Sequence, residues 1–487
     1  MSDLQSASSS TTAIPEKSSK PGLQGRMGTT ALVLTVLAVA APLASVSGVF
    51  PVVIGFGGSA APIAYLIATG ILVAFAAGLA TMSKYVPNPG AFYAYVTSGL
   101  GKRAGLGGAF LAIFAYWLMS TASYAFLGSA TNRLIVHFGG PDIAWYWWQI
   151  IGWVFVGFLG YRNIELSAKV LTVAMVLEVA IVLVFDIAVI ARGGSEGLGI
   201  PLITSETFSS GNIGIAVLFC VLCFIGFEST AIFREEARDP EKTVPRAMYL
   251  SVLLVGVFYA ISVALMILAY GQNDVADVVE ENSAGMFDEA LGAYAAPIFM
   301  DICAILVVNS VLASQIALMN MLSRYLYSLG NDGVLPRSLG QAHPKHRSPY
   351  RASLVVTAMI GLLGAPFIFI ASEPMDLYAK MIGVGTYAVA VLMMFASIAV
   401  LVFFRRNPQP DASPLKTTVA PMVAIAGFGL VLYLATTNMD LISGLTGGLA
   451  VALVILTYLV IVAGAVLATV YRKTKPEVFQ RIGRQDL

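Results

Sequence analysis

Charge is what this chain has least of. Asp, Glu, Lys and Arg make up 11% of its 487 residues, against 58% of apolar types, and the mean hydropathy is +0.82. Water-soluble domains carry about 25% charge and about 45–50% apolar residues. So little charge leaves no polar coat for one large soluble core, and lipid is expected to solvate part of the chain. The net charge of +1 gives no ground for a nucleic-acid partner. Histidine and cysteine are scarce too, at three each. His137, His343 and His346 fall in expected loops, and Cys220-x-x-Cys223 sits in an apolar run with no second pair or nearby His. Buried packing thiols are expected there rather than metal or redox chemistry. The chain has no HExxH, no GxSxG, no nucleotide loop and no repeated filter segment. Neither an enzyme, a resident cofactor nor an ion channel is expected. Residues 1–28 lack the charged, apolar and small-residue order of a signal peptide and read as a disordered cytoplasmic tail.

What the chain has in abundance is apolar runs of bilayer length. A hydrocarbon core of about 30 Å needs about 20 helical residues. Twelve runs qualify: 29–55, 60–83, 105–130, 143–160, 165–191, 212–233, 247–270, 295–322, 352–372, 376–404, 417–437 and 444–471. The basic residues give an independent check, because Lys and Arg gather on the cytoplasmic side. With the N-terminus inside, 25 of the 28 basic residues fall on inner segments, and only Arg133, Arg192 and Lys380 fall outside. A wrong span count would scatter these charges over both sides. The expected topology is therefore a multi-pass cell-membrane protein with both termini cytoplasmic. The acidic 271–294 loop falls outside, and the Trp145, Trp147 and Trp148 cluster suits the outer headgroup level.

The first and sixth spans are interrupted alike. One carries Pro42 and Ser45-Val46-Ser47-Gly48, the other Gly226-Phe227-Glu228-Ser229, each about fifteen residues into its span. Pro removes a backbone donor and Gly weakens a helix. Unwound backbone at that depth is tolerated only where it lines protein or a watery cavity. Bare amides there attract a carboxylate and bare carbonyls accept from an ammonium, which is what a zwitterion needs. The competing reading is close helix approach at small residues. The spacing of the two clusters matches inverted five-helix repeats over 29–191 and 212–404, followed by two helices over 417–471 and a cytoplasmic tail over 472–487.

Four acids fall inside spans: Glu178, Asp186, Glu228 and Asp301. Such acids usually line an interior path. Asp186 and Asp301 lie nearer the outer ends, where a vestibule or interfacial role is as open as a mechanistic one. Glu178 lies about 20 Å along the fifth span, at mid-bilayer. Glu228 follows the second break and would sense protons, bind a cationic group or hold the unwound segment together. Ser120, Thr121, Ser123, Tyr124, Ser310 and Ser314 are candidates for pocket or gate lining, with helix–helix hydrogen bonding the commoner use.

Four stretches together carry a family resemblance. GFESTAIFREEARDPEKTVPRA (226–247), SVSGVF (45–50), VPNPGAFYAYVTSGLGKRAG (86–105) and SRYLYSLGNDGVLPRSLGQAHPKHRSPY (323–350) resemble the amino acid–polyamine–organocation superfamily of permeases, in order over about residues 29–405. The resemblance implies an all-α, leucine-transporter-like 5+5 inverted repeat with broken helices 1 and 6, and secondary transport by alternating access. It implies that Ser47 and Gly48, with the Val46 and Val49 amides, hold a substrate carboxylate, and that carbonyls around Ile225 and Gly226 hold the amino group. In several proton-coupled relatives the fifth helix carries a Lys where Glu178 falls, which makes Glu178 the expected coupling group; the competing reading is a neutral or hydrogen-bonded structural acid. The expected cargo is an amino acid or related amine, imported with protons. An exchanger, a polyamine carrier, a sodium symporter using hydroxyls such as Ser47 and Ser314, and a non-transporting sensor are the alternatives. Nothing in the sequence speaks to oligomeric state.

Overall fold

The computed structural model describes residues 28–86, 91–162, 168–199, 212–227, 230, 237–343, 349–370 and 373–483. Its regular structure is helical, with no strand among the described residues. Nine described helical stretches are long and apolar enough to cross a membrane, from Phe50–Tyr85 to Gly448–Thr474. The expected fourth span is present as the 18-residue helix Trp145–Arg162 but is not among the nine. The first and sixth spans are broken into shorter pieces.

Proline explains where many of these helices start. Pro42, Pro51, Pro62, Pro240, Pro297, Pro374, Pro421 and Pro476 each occupy the first or second helical position. The missing N–H of proline is spare there, and its fixed φ suits the first turn.

In chain order the first elements are α1 (Thr29–Ala40), α2 (Pro42–Gly48), α3 (Phe50–Gly57), α4 (Ala61–Tyr85), α5 (Ala91–Leu100) and α6 (Lys102–His137). They are followed by α7 (Trp145–Arg162), α8 (Ala168–Arg192), α9 (Ile213–Leu222), α10 (Pro240–Tyr270), α11 (Val275–Asn282), α12 (Met286–Tyr294) and α13 (Pro297–Asn331). The chain ends through α14 (Tyr350–Ile370), α15 (Pro374–Arg406), α16 (Ala420–Thr437), α17 (Met439–Ser443), α18 (Gly448–Thr474) and α19 (Pro476–Arg481). Helices α5, α11 and α12 lie in segments expected to be loops.

Helix α6 is the centre of the molecule: 78% of its most apolar window is buried, against 17% for α18, which presents most of its surface outward. The two nevertheless approach closely. A Cβ on Gly464 would come within 2.6 Å of the Leu106 carbonyl and 2.7 Å of Gly107 Cα, so small residues set this contact. The expected tail after residue 471 is partly packed. Ile482 is buried, the Gly483 N–H donates to Tyr93 Oη (2.8 Å) and Asp332 Oδ2 (3.1 Å), and Lys102 Nζ donates to the Gln480 carbonyl at 2.6 Å. The expected tail over 1–28 lies, apart from Gly28, outside the described residues.

The first break is not where the Ser45–Gly48 cluster placed it. Residues 42–48 are helical, and the helix is interrupted at Ala41, whose φ of 46° and ψ of 71° are left-handed. Pro42 is the cause. A proline disfavours the α region for the residue before it, and it starts a new helix rather than continuing the old one. After α2 the chain runs on with little interruption, since Val49 N–H reaches the Ser45 carbonyl at 2.8 Å and Val53 N–H the Val49 carbonyl at 2.9 Å. The second break is close to its expected place. Helix α9 ends at Leu222, and the N–H groups of Cys223, Phe224 and Ile225 turn back three residues to the carbonyls of Cys220, Val221 and Leu222. Gly226 follows with φ 115°, a backbone that side-chain-bearing residues rarely adopt.

Candidate functional site

The restarted helix α2 has amides to satisfy. An α-helix leaves its first N–H groups without intrahelical acceptors, and here Pro42 has none to offer. Ser45 N–H reaches the Ala41 carbonyl at 3.1 Å. That leaves Leu43 and Ala44, and two distant side chains take them. Leu43 N–H donates to Glu178 Oε2 (3.3 Å) from α8, and Ala44 N–H donates to Ser310 Oγ (3.1 Å) from α13. Ser310 Oγ–H in turn donates to the same Glu178 Oε2 at 2.7 Å. Glu178 and Ser310 are both buried, at 3% and 0% exposure. The carboxyl therefore joins three helices at the break and is the cap of α2.

Beside this cap lies a cavity of about 70 Å³. The broken first span contributes Ala40, Ala41, Ala44, Ser45 and Val49, and the second break contributes Leu222 and Ile225. Its other walls are Met119, Ser123 and Phe126 from α6, Val311, Ser314, Leu318 and Met321 from α13, and Tyr378 and Ile382 from α15. Gly48 makes room for two of these aromatic walls. A Cβ at that position would stand 2.8 Å from Phe126 Cε1 and 3.1 Å from Tyr378 Oη, whose rings lie 5.1 Å apart. Nearby, Phe50, Tyr65 and Tyr259 form a cluster with centroids 5.5 to 5.8 Å apart, and Tyr65 Oη lies 3.3 Å from Cys223 Sγ.

The residues expected from sequence fall into three groups. Val49 and Ile225 line the cavity. Val46, Ser47 and Gly48 are buried beside it inside α2, so their amides belong to helical turns rather than to open backbone; Ser47 Oγ has no hydrogen-bond partner among the described residues. Gly226 lies at the second break next to the lining residue Ile225. Glu228 lies outside the described residues. Glu178 does not line the cavity but holds the backbone that does.

The other acids go elsewhere. Asp186 Oδ2 accepts from Ser262 Oγ at 2.8 Å while Oδ1 has no partner among the described residues, and Asp301 pairs with His137 Nε2 at 2.6 Å. Among the hydroxyls, Ser120 exchanges two hydrogen bonds with Gln315 (3.0 and 2.9 Å), joining α6 to α13, whereas Ser123 and Ser314 face the cavity. Leu43 and Ala44 were not singled out from sequence. The signal was Pro42, because the residues after a helix-starting proline carry the orphan amides.

The amino acid permease family model matches residues 32–480. The chain is 28% identical to the branched-chain amino acid permease BcaP of Bacillus subtilis over 258 residues, 53% of this chain and 51% of that protein. It is 24% identical over 451 residues to an uncharacterised transporter of Mycobacterium tuberculosis, covering 85% of this chain and 89% of the relative. It is also 23% identical over 353 residues to the low-affinity putrescine importer PlaP of Escherichia coli, covering 71% of this chain and 76% of that one. The match to BcaP thus spans about half the length of that relative.

Proposed function

The chain belongs to the amino acid permease family, and from that premise we propose that it imports an amino acid or related amine by alternating access, driven by protons. The observation that carries this reading is the cap at the first break: a buried carboxyl on one of α2's free amides stands next to a cavity bounded by both breaks. The twelve-span topology with cytoplasmic termini and the 5+5 inverted repeat belong to the same proposal. They are supported by the charge asymmetry and by the two interruptions, at Ala41 and after Leu222.

Transport of a zwitterion through lipid needs polar backbone at mid-depth and a way to switch access to it. Here α2 is the element able to switch. As a carboxylate, Glu178 holds Leu43 N–H and Ser310 O–H through charge-assisted bonds, which are about twice as strong as neutral ones. As an acid it holds them less firmly, so taking up a proton loosens the hinge at Ala41 and releasing it restores the cap. Coupling then follows if loosening and substrate occupancy favour the same conformation. The substrate head group would meet the breaks themselves, near Ala41–Ser45 and Ile225–Gly226, with Ser47 and Gly48 immediately behind.

The test is purified protein in liposomes, with labelled amino acids and amines supplied with and without an inward proton gradient. Accumulation that a protonophore abolishes supports the proposal. Uptake that ignores the gradient and requires internal substrate makes the protein an exchanger, and binding without flux makes it a sensor.

A further inference from the structure

The wall chemistry of the cavity goes further than the family does, since the relatives include a permease for branched-chain amino acids and an importer of a diamine. Among the described residues no Asp, Glu, Lys, Arg or His lines it. Its polar atoms are the hydroxyls of Ser45, Ser123, Ser314 and Tyr378 and the backbone at the two breaks. Among the described lining residues a side-chain ammonium or carboxylate would meet no opposite charge on leaving water, which is strongly unfavourable; Glu178 stands behind the wall, its Oε2 already held by Leu43 and Ser310. A zwitterion differs, because its two head-group charges neutralise each other at short range and need only dipoles around them.

Size narrows the choice again. On the scale where a water takes ~10–15 Å³, a cavity of about 70 Å³ holds about five to seven non-hydrogen atoms. Alanine, with about six such atoms, and serine, with about seven, match that volume; valine passes it by about one atom, which small shifts of the walls would admit, while arginine and tryptophan far exceed it. Away from the breaks the walls turn apolar, with Met119, Val311, Leu318, Met321 and Ile382. Met119 has little freedom to retreat, for its Cγ already lies 2.7 Å from where a Cβ on Gly385 would stand.

We infer that this site takes a small, neutral, aliphatic amino acid of alanine to valine size, with Met119, Leu318 and Met321 as the side-chain walls that set the limit. The inference rests on the transport reading above.

It is tested on the full chain in proteoliposomes, with labelled alanine, valine, tryptophan, lysine, glutamate and putrescine supplied separately, alongside binding of the same six measured by thermal shift in detergent. Alanine or valine should exceed lysine, glutamate and putrescine at least tenfold in initial rate, and tryptophan should lie with the poor substrates. Met321→Ala, checked for folding by its melting curve, should raise leucine transport relative to alanine about tenfold, as expected for freeing a methylene or two in an apolar pocket. Preference for putrescine or lysine overturns the inference while leaving transport intact, and tryptophan moving as well as alanine overturns the size limit. If no compound is transported, the transport reading fails. The binding series then decides the inference alone: small neutral ligands shifting the melting temperature uphold it, and cationic or acidic ones doing so refute it.

Discussion

Replacing Glu178 by Gln isolates its proton from its shape. The amide is nearly isosteric, and its carbonyl oxygen still accepts from Leu43 N–H and Ser310 O–H, the two bonds seen at 3.3 and 2.7 Å. What is lost is the charge assistance of those bonds, about 0.5–2 kcal/mol each given a net value of about 1.5–3 kcal/mol for charged partners and about 1 for neutral ones. Neither bond is made to substrate, so substrate affinity should stay within about tenfold of the parent. Coupling is another matter. One pH unit is worth 1.36 kcal/mol, so an inward gradient of about two units can sustain ~100-fold accumulation at one proton per substrate. A side chain that cannot take up a proton draws nothing from that gradient. In proteoliposomes with acidic exterior, Glu178→Gln should equilibrate substrate without concentrating it, and its initial rate should become flat in external pH where the parent's falls as pH rises. Exchange of labelled for unlabelled substrate at equal pH serves as the control that the protein is intact. Full gradient-driven accumulation by the variant would refute the role given to Glu178.

Ser310→Ala removes the acceptor of Ala44 N–H and the closer donor to Glu178, leaving two buried groups short of partners at about 1–3 kcal/mol each; differential scanning fluorimetry in detergent should show a lower melting temperature, and Ser310→Thr should restore most of it. Gly48→Ala places a methyl 2.8 Å from Phe126 Cε1, an overlap expected to cost about 1–3 kcal/mol and to slow uptake, with Phe126→Leu in the same chain recovering part of the rate. Asp186→Asn should leave proton-driven accumulation in place, because Asp186 bonds Ser262 on the continuous helix α10; loss of coupling in this variant would move the proton site there. Tyr93→Phe deletes the hydroxyl that donates to Asp332 at 2.7 Å and accepts from Gly483 N–H, and should lower the melting temperature by an amount matching about 1–2 kcal/mol while protease cleavage near residue 480 becomes faster.

How far the chain could be read without its structure depends on the range of the interaction. Span positions and the two interruptions rest on local composition, and they are visible in runs such as 247–270 and in Gly226. The first interruption reads from sequence as one stretch from Pro42 to Gly48, because Ser45, Ser47 and Gly48 look as flexible as the proline. The decisive residue was Pro42, whose effect falls on its neighbour Ala41 and not on the Ser/Gly cluster after it. Glu178 stood out as an acid at mid-depth, but its partners are 135 and 132 residues away at Leu43 and Ser310, a pairing that no spacing rule reveals. The same limit hid the wall of the cavity. Met119, Leu318 and Tyr378 look like ordinary apolar or aromatic residues of three spans, and only the packing shows that they face one space.

The two buried acids of α8 show why placement outweighs rarity as a guide. Glu178 and Asp186 lie eight residues apart, about 12 Å along the helix, and both are almost fully buried. By sequence both are acids inside one span, with Glu178 at mid-bilayer and Asp186 nearer the outer end. Their hydrogen bonds separate them. Asp186 reaches Ser262 on α10, an unbroken helix of 31 residues, so a change in its charge has no ready motion to drive. Glu178 reaches the first free amide after a left-handed residue, where one hydrogen bond more or less alters the balance between bent and extended backbone. A proton can move a helix only where the chain is already divided, and among the described acids that condition is met at Glu178.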